Sequence, residues 1–320
     1  MRCAVTGAAG FIGSHLCERL LEQGHEVRGI DALTPYYSPA VKEENLTGAR
    51  IYPRFHFYRL DLRLDPLDAI LADVDLVFHL AAIPGLSKSW TDFDGYWACN
   101  VQATQRLLEL YRRHGAPRRI VYASSSAVYG RFAEGDETQP THPVSPYGVT
   151  KLAGEHLCRS YAEGFGLPIV VLRYFSVYGP RQRPDMGYHR FIKAMQRNEP
   201  LTICGDGEQV RCNTYVSDCV AATEAAAEAV PGAVYNVGGD EVASVWDVLS
   251  RLEKLAGRKA KVRHEPARPG EQRNTRANTS KITAHLDWRP TTPLDEGLAV
   301  QWEWQAQGST PAPPVLSMTL

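Results

Sequence analysis

No stretch of this chain reaches the ~20 consecutive apolar residues that a bilayer-spanning helix needs, which excludes a membrane-embedded protein from the reading. Charge of one sign is also lacking: 35 Lys and Arg stand against 36 Asp and Glu, for a formal net charge of -1. Without a basic field there is nothing to draw in DNA or RNA, so no nucleic-acid partner is expected. Cysteine occurs seven times, at Cys3, Cys17, Cys99, Cys158, Cys204, Cys212 and Cys219, but never as CxxC. An odd, scattered set reads as ordinary reduced thiols, and no metal site is expected. The charged start, long apolar segment and cleavage site of a secretory signal are missing too, since Arg2 to Thr6 already reads as a strand. The cytoplasm is therefore the expected location. No internal repeat is found.

What the chain does have is 320 residues, 44% of them apolar and 22% charged, which suits a soluble protein of two closely packed lobes. As far as about Arg173, short β-branched runs alternate with helical patterns, the signature of a doubly wound parallel sheet. The strands are expected at Cys3–Thr6, His25–Ile30, Phe55–Arg59, Leu76–Leu80, Arg119–Ala123 and Pro168–Arg173. Helices are expected near Gly13–Gln23, Tyr96–His114 and Pro146–Phe165. From residue 174 to 306 the pattern breaks into a smaller α/β lobe, with helices such as Val216–Ala229 and Ser244–Leu255 and isolated strands such as Pro200–Ile203. Some of these segments are free to return to the sheet. Residues 307–320, with Pro311, Pro313 and Pro314, lack periodicity and read as a loose tail. Ligand is expected where the strands' carboxyl ends face the second lobe.

Directly after the first strand stands Gly7-Ala8-Ala9-Gly10-Phe11-Ile12-Gly13, a GxxGxxG loop opening into a helix. Glycine there lets the backbone turn tightly and approach a pyrophosphate, whose charge the helix's positive end stabilises. Phe11 and Ile12 seat the helix on the sheet. Eighteen residues past Gly13, at the end of the second strand, Asp31 is placed to accept both ribose hydroxyls of NAD and to repel the extra phosphate of NADP. A glycine turn followed by a surface aspartate is common; strand, loop, helix, strand and acid in succession are not. After the third strand, Asp61-Leu62 offers an acid to the adenine amino group, and His79-Leu80-Ala81-Ala82 ends the fourth with residues small enough to admit a cofactor. Either of these alone is ordinary strand-end chemistry.

Tyr147-Gly148-Val149-Thr150-Lys151 is a YxxxK pair at the start of a helix, and residues four apart share a face. A nearby ammonium lowers a phenol's pKa from ~10 and makes it a general base. The bare pattern arises by chance on many amphipathic helices. About twenty residues earlier, however, the fifth strand runs into Ser124-Ser125-Ser126-Ala127-Val128-Tyr129-Gly130, which brings hydroxyls to a strand's carboxyl end.

With these motifs in register, nearly the whole chain resembles the extended short-chain dehydrogenase/reductases, NAD-dependent epimerases and dehydratases with a Rossmann-type sheet. The segment from Arg173 through Tyr178, Gly179, Arg183 and Pro184 to Met186 is similar to the RYFTVYGPxxRPDM stretch of UDP-glucuronate 4-epimerases. Ile30 to Leu33, Tyr36-Tyr37 and Lys42 to Leu46 resemble their loop after the second strand, and Gly205 to Gln209 their uridine-side loop. The resemblance implies Ser125, Tyr147 and Lys151 as the catalytic triad. It implies Asn100, Tyr174 and Val177 beside the cofactor, and Pro84, Ser126, Ser176 and Met186 beside the sugar. Arg183 would grip a sugar carboxylate, Arg211 and Arg268 the diphosphate, and Glu271 the uridine ribose. The chain departs from the pattern at Ser176 (usually Thr), at Ala127 (usually a hydroxyl), at Cys212 (usually Asp), and at Pro84-Gly85-Leu86, which runs on to Ser87 and Lys88 without the PGVR arginine.

The implied reaction is 4-epimerisation of a UDP-sugar through a 4-keto intermediate, with UDP-glucuronate as the first substrate. UDP-glucose, or both sugars, is the runner-up. Dehydratases and uronate decarboxylases carry a carboxylate where Ala127 stands, so those reactions rank lower. A non-catalytic NAD-binding module is the reading from another class, and the intact triad argues against it. Resemblance, together with apolar positions to spare on Tyr96–His114 and Pro146–Phe165, also leads us to expect a homodimer.

Overall fold

The computed structural model describes residues 1–308, so the expected tail lies, from residue 309 on, outside the described residues. Seven strands form the central sheet: β1 (Arg2–Thr6), β2 (Glu26–Ile30), β3 (Phe55–Tyr58), β4 (Leu76–His79), β5 (Arg119–Ser125), β6 (Ile169–Tyr174) and β7 (Val234–Val237). Their order is β7-β6-β5-β4-β1-β2-β3, and every pairing is parallel. Among the described residues seven helices run to ten residues or more: α1 (Phe11–Glu22), α2 (Ala103–His114), α3 (Pro146–Phe165), α4 (Gly187–Gln196), α5 (Val216–Ala225), α6 (Val245–Ala256) and α7 (Leu294–Ala306). Among the described residues no helix is long and apolar enough to cross a membrane.

Side chains alternate across a strand, and here both faces are buried, which is why the strands read as continuous apolar runs. Cys3, Val5, Phe78, Val170 and Leu172 pack on one face against Leu16, Cys17 and Leu20 of α1 and Val216, Cys219 and Val220 of α5. Their neighbours Ala4, Val77, Ile169 and Val171 pack on the other against Leu107, Leu108 and Tyr111 of α2 and Cys158 of α3. At ~25 cal/mol per Å² of apolar surface, two such layers are the main force holding the sheet.

A smaller core gathers Phe191, Ile192 and Met195 of α4, Val248, Leu249 and Leu252 of α6, and Leu294 and Leu298 of α7 around Leu201 and Ile203. The chain crosses between the lobes in both directions. Val234–Val237 returns to become β7, whereas Phe132–Ala133 leaves the first half to pair with Asn274–Thr275 in a four-stranded sheet.

The helix expected at Tyr96–His114 is interrupted. Phe93–Trp97 is α-helical, Ala98–Gln102 widens into a π-helical turn, and only then does α2 begin. One extra residue per turn swings Asn100 inward, and such bulges gather at functional sites. The sheet order reverses between β4 and β1, and the crevice beyond their carboxyl ends is where an open parallel sheet takes its ligand.

Candidate active site

One cavity of about 1170 Å³ opens between that sheet edge and the second lobe, and nearly all of the residues singled out from the sequence line it. At its sheet end Gly7 adopts φ +74, and a Cβ on it would stand 2.9 Å from the Ala81 nitrogen. A Cβ on Gly13 would be 2.1 Å from the Gly7 carbonyl. The loop is a bare-backbone cradle at the start of α1, with Gly10, Phe11 and Ile12 beside it and Leu80, Ala81 and Ala82 across. Asp31 ends β2 on the same wall, its carboxylate fixed by the backbone amides of Ala9 (3.2 Å) and Leu33 (2.8 Å). The Lys42 ammonium lies 3.7 Å from it and offsets part of its charge. Cradle and carboxylate fit a dinucleotide's pyrophosphate and ribose. Asp61 and Leu62 lie further along, where Arg63 pairs with Asp61 at 2.6 Å and holds that carboxyl below the usual range.

Between the two lobes stand Ser125, Tyr147 and Lys151. Ser145 caps α3, its hydroxyl accepting from the Gly148 amide at 3.1 Å, and Pro146 pre-sets the first turn. This fixes Tyr147 at the cavity wall with Lys151 one turn later. Burial raises the Tyr147 phenol above its ordinary value, while the neighbouring Ser125 hydroxyl and the Arg183 charge pull it down. The Lys151 ammonium is buried, donates to the Ala123 carbonyl at 2.7 Å, and lies 5.2 Å from the centre of the Tyr122 ring. Burial lowers its own pKa to about 8.

Tyr174, Val177, Pro84, Ser126, Ser176, Arg183, Met186, Arg211, Arg268 and Glu271 line the same cavity. Burial raises the Glu271 carboxyl, and Arg211 and Arg268 draw it back, so these three form one electrostatic cluster. Asn100 is the exception among the expected contacts. It is buried behind the wall, accepting from the Ile83 amide (2.8 Å) and donating to the Ile83 carbonyl and the Thr150 hydroxyl (both 3.0 Å). It clamps the loop after β4 to α3, a positioning task rather than a lining one.

Several side chains take roles that the sequence did not assign. Gln272, next to Glu271, accepts from the Ser126 hydroxyl and donates to the Ser126 and Gly130 carbonyls, tying the serine turn to the second lobe. His79 bridges Thr6 and Thr104 and is kept neutral, burial lowering its pKa to about 3. Tyr36, Lys88 and Asp185 also line the cavity. Position beside a motif residue is the signal that could have found Gln272 and Asp185, and Tyr36 stands in the loop after β2 that the resemblance already marked.

Comparisons with known proteins agree with this geometry. A UDP-glucose epimerase of Bacillus subtilis (strain 168), YtcB, itself uncharacterized, is 48% identical over 306 residues, covering 93% of this chain and 96% of its own. The UDP-glucuronate 4-epimerase of Thermodesulfobacterium geofontis (strain OPF15) is 35% identical, with 95% of each chain covered. The crystal structure of the UDP-glucuronic acid 4-epimerase of Bacillus cereus in complex with UDP-glucuronic acid and NAD superposes with a TM-score of 0.94 at 45% identity, covering 96% of this chain and 99% of that one. With a profile match over residues 3–238, the chain belongs to the NAD dependent epimerase/dehydratase family.

Proposed function

We propose that the chain is a UDP-sugar 4-epimerase acting on UDP-glucuronate, with NAD as its resident cofactor. The observation that carries this reading is the meeting of Ser125, Tyr147 and Lys151 in one cavity with the glycine cradle and Asp31. NAD, when bound, supplies the acceptor and donor for the sugar's C4 hydride. Tyr147 takes the proton of the C4 hydroxyl, and Ser125 hydrogen-bonds the same oxygen. Lys151 spends one proton on Ala123, which leaves its others for the cofactor ribose. The 4-keto sugar turns over and Tyr147 returns the proton, so the net reaction is redox-neutral. Turning requires that binding energy reside mainly in the UDP, held by Arg211, Arg268 and Glu271. Arg183 holds the uronate carboxylate away from the perpendicular geometry in which a β-keto acid loses carbon dioxide.

UDP-glucose is the second reading, favoured by Ala127, a buried methyl where the epimerase pattern has a hydroxyl. Incubation with each sugar and chromatographic separation of the products separates the two. Tyr147→Phe should cut turnover at least ~10²-fold, the usual size of a lost general base. Turnover equal to the parent's overturns the mechanism.

The same reading makes the protein a cytoplasmic homodimer. All seven cysteines are free thiols. Trp90, Phe93, Trp97 and Val149 are exposed where Phe93–Trp97 and its flank pack on α3, an apolar face suited to a second copy.

A further inference from the structure

Arg183 is already engaged in this fold. Its Nε and Nη2 donate to Oδ1 and Oδ2 of Asp185, both at 3.0 Å, the two-pronged geometry that a guanidinium makes with a carboxylate. The pair stands on the cavity wall, with side-chain exposures of 17% for Arg183 and 39% for Asp185. Tyr36 closes over it. Its hydroxyl is 3.5 Å from Asp185 Oδ2, and its ring centre lies 5.9 Å from the Arg183 guanidinium and 4.7 Å from the Lys88 ammonium. Gly85 leaves the room for this, since a Cβ there would stand 2.5 Å from the Tyr36 hydroxyl. A second carboxylate brought to Arg183 finds its Nε–Nη2 edge in use and comes close to the Asp185 charge, which the half-enclosed wall leaves only partly screened.

We propose that Asp185 is a specificity-determining residue, an internal carboxylate that occupies Arg183 until the carboxylate of a hexuronate displaces it. A neutral hexose cannot make this exchange and leaves the pair closed. Displacement sets the affinity for the acid sugar below what Arg183 alone would give, and it reserves the rearrangement for a ligand carrying a negative charge at C6. The half-open position of Asp185 matters here, because the released carboxylate must be solvated for the exchange to proceed. This role rests on the uronate reading above.

The test uses the NAD-loaded enzyme titrated with UDP-glucuronate and with UDP-glucose, wild type against Asp185→Asn. The amide keeps an acceptor for Arg183 and removes the competing charge. The Kd for UDP-glucuronate should fall roughly three- to tenfold, the scale of a partly screened charge pair, and that for UDP-glucose should stay within about twofold. Asp185→Glu, which restores the charge, should return the uronate Kd toward that of the wild type. Equal tightening of both sugars, or weaker uronate binding in Asp185→Asn, overturns the displacement role. A wild type that binds the two sugars equally overturns the uronate reading itself. A wild type that prefers the uronate by the same factor before and after substitution overturns only the part played by Asp185.

Discussion

A phenol in water keeps its proton to about pH 10, and burial at the cavity wall moves Tyr147 further from basicity. What counters burial here is the neighbouring Ser125 hydroxyl and the Arg183 charge, both of which favour the phenolate. Ser125→Ala removes the first of these. The folded-state pKa of Tyr147 then rises, and the acid limb of the pH profile of kcat/KM should move to higher pH. At fixed pH the rate should drop about ten- to hundredfold, as for one hydrogen bond to a charged group. An unmoved acid limb would mean that Ser125 does not touch the phenol. At this scale the sequence was informative where chemistry sits in a short motif: the glycine loop, the serine turn and YxxxK each keep their members within a few residues. It was silent on Gln272, which reaches the serine turn from the second lobe, and on the stacking of Lys88 over Tyr36, two loops far apart in sequence. Nor did it show which carbonyl the Lys151 ammonium finds, because one helical turn sets only which side a residue is on.

At the scale of single elements, α3 has the bounds expected of it, Pro146–Phe165, and the structure shows what fixes them: Ser145 at the N-cap, Pro146 in the first turn, and Gly166 at φ 70 beyond the last. The stretch before α2 was not, since a π-helical turn inserts one residue without disturbing the apolar spacing on either side. Inside α3 sits a glycine that helix propensity disfavours by about 1 kcal/mol relative to alanine. Packing explains it: a Cβ on Gly154 would lie 2.0 Å from the Tyr122 hydroxyl, and the Tyr122 ring in turn faces the Lys151 ammonium. Gly154→Ala should therefore destabilise the fold by about 1–3 kcal/mol, the cost of overpacking, in spite of its better propensity. Trimming the hydroxyl with Tyr122→Phe in the same chain should recover part of the loss. A chemical denaturation series on the three variants reads this coupling directly, and additive effects would show that the two side chains do not collide.

For the whole molecule, alternation of strand and helix up to Arg173 was enough to predict the doubly wound sheet, because burial of both faces leaves unbroken β-branched runs. The exchange of strands between lobes was beyond the pattern. A two-residue strand such as Phe132–Ala133 carries no period, and Val234–Val237 is known as the sheet's edge only by its partner, β6. Quaternary structure is decided by the same bookkeeping of apolar surface. Trp90 is 52% exposed, Phe93 43% and Trp97 40%, although all three are large and adjoin α3. Phe93 and Trp97 lie one turn apart with ring centres 6.2 Å from each other, so they offer a continuous aromatic surface rather than scattered contacts. Sedimentation should give twice the chain mass for the wild type. Trp97→Lys puts a charge into the centre of that surface without touching the cavity, and should yield a monomer at micromolar concentration. If the mutant remains a dimer, the twofold seam lies elsewhere; if the wild type is a monomer at concentrations well above micromolar, this aromatic face is not covered by a second copy.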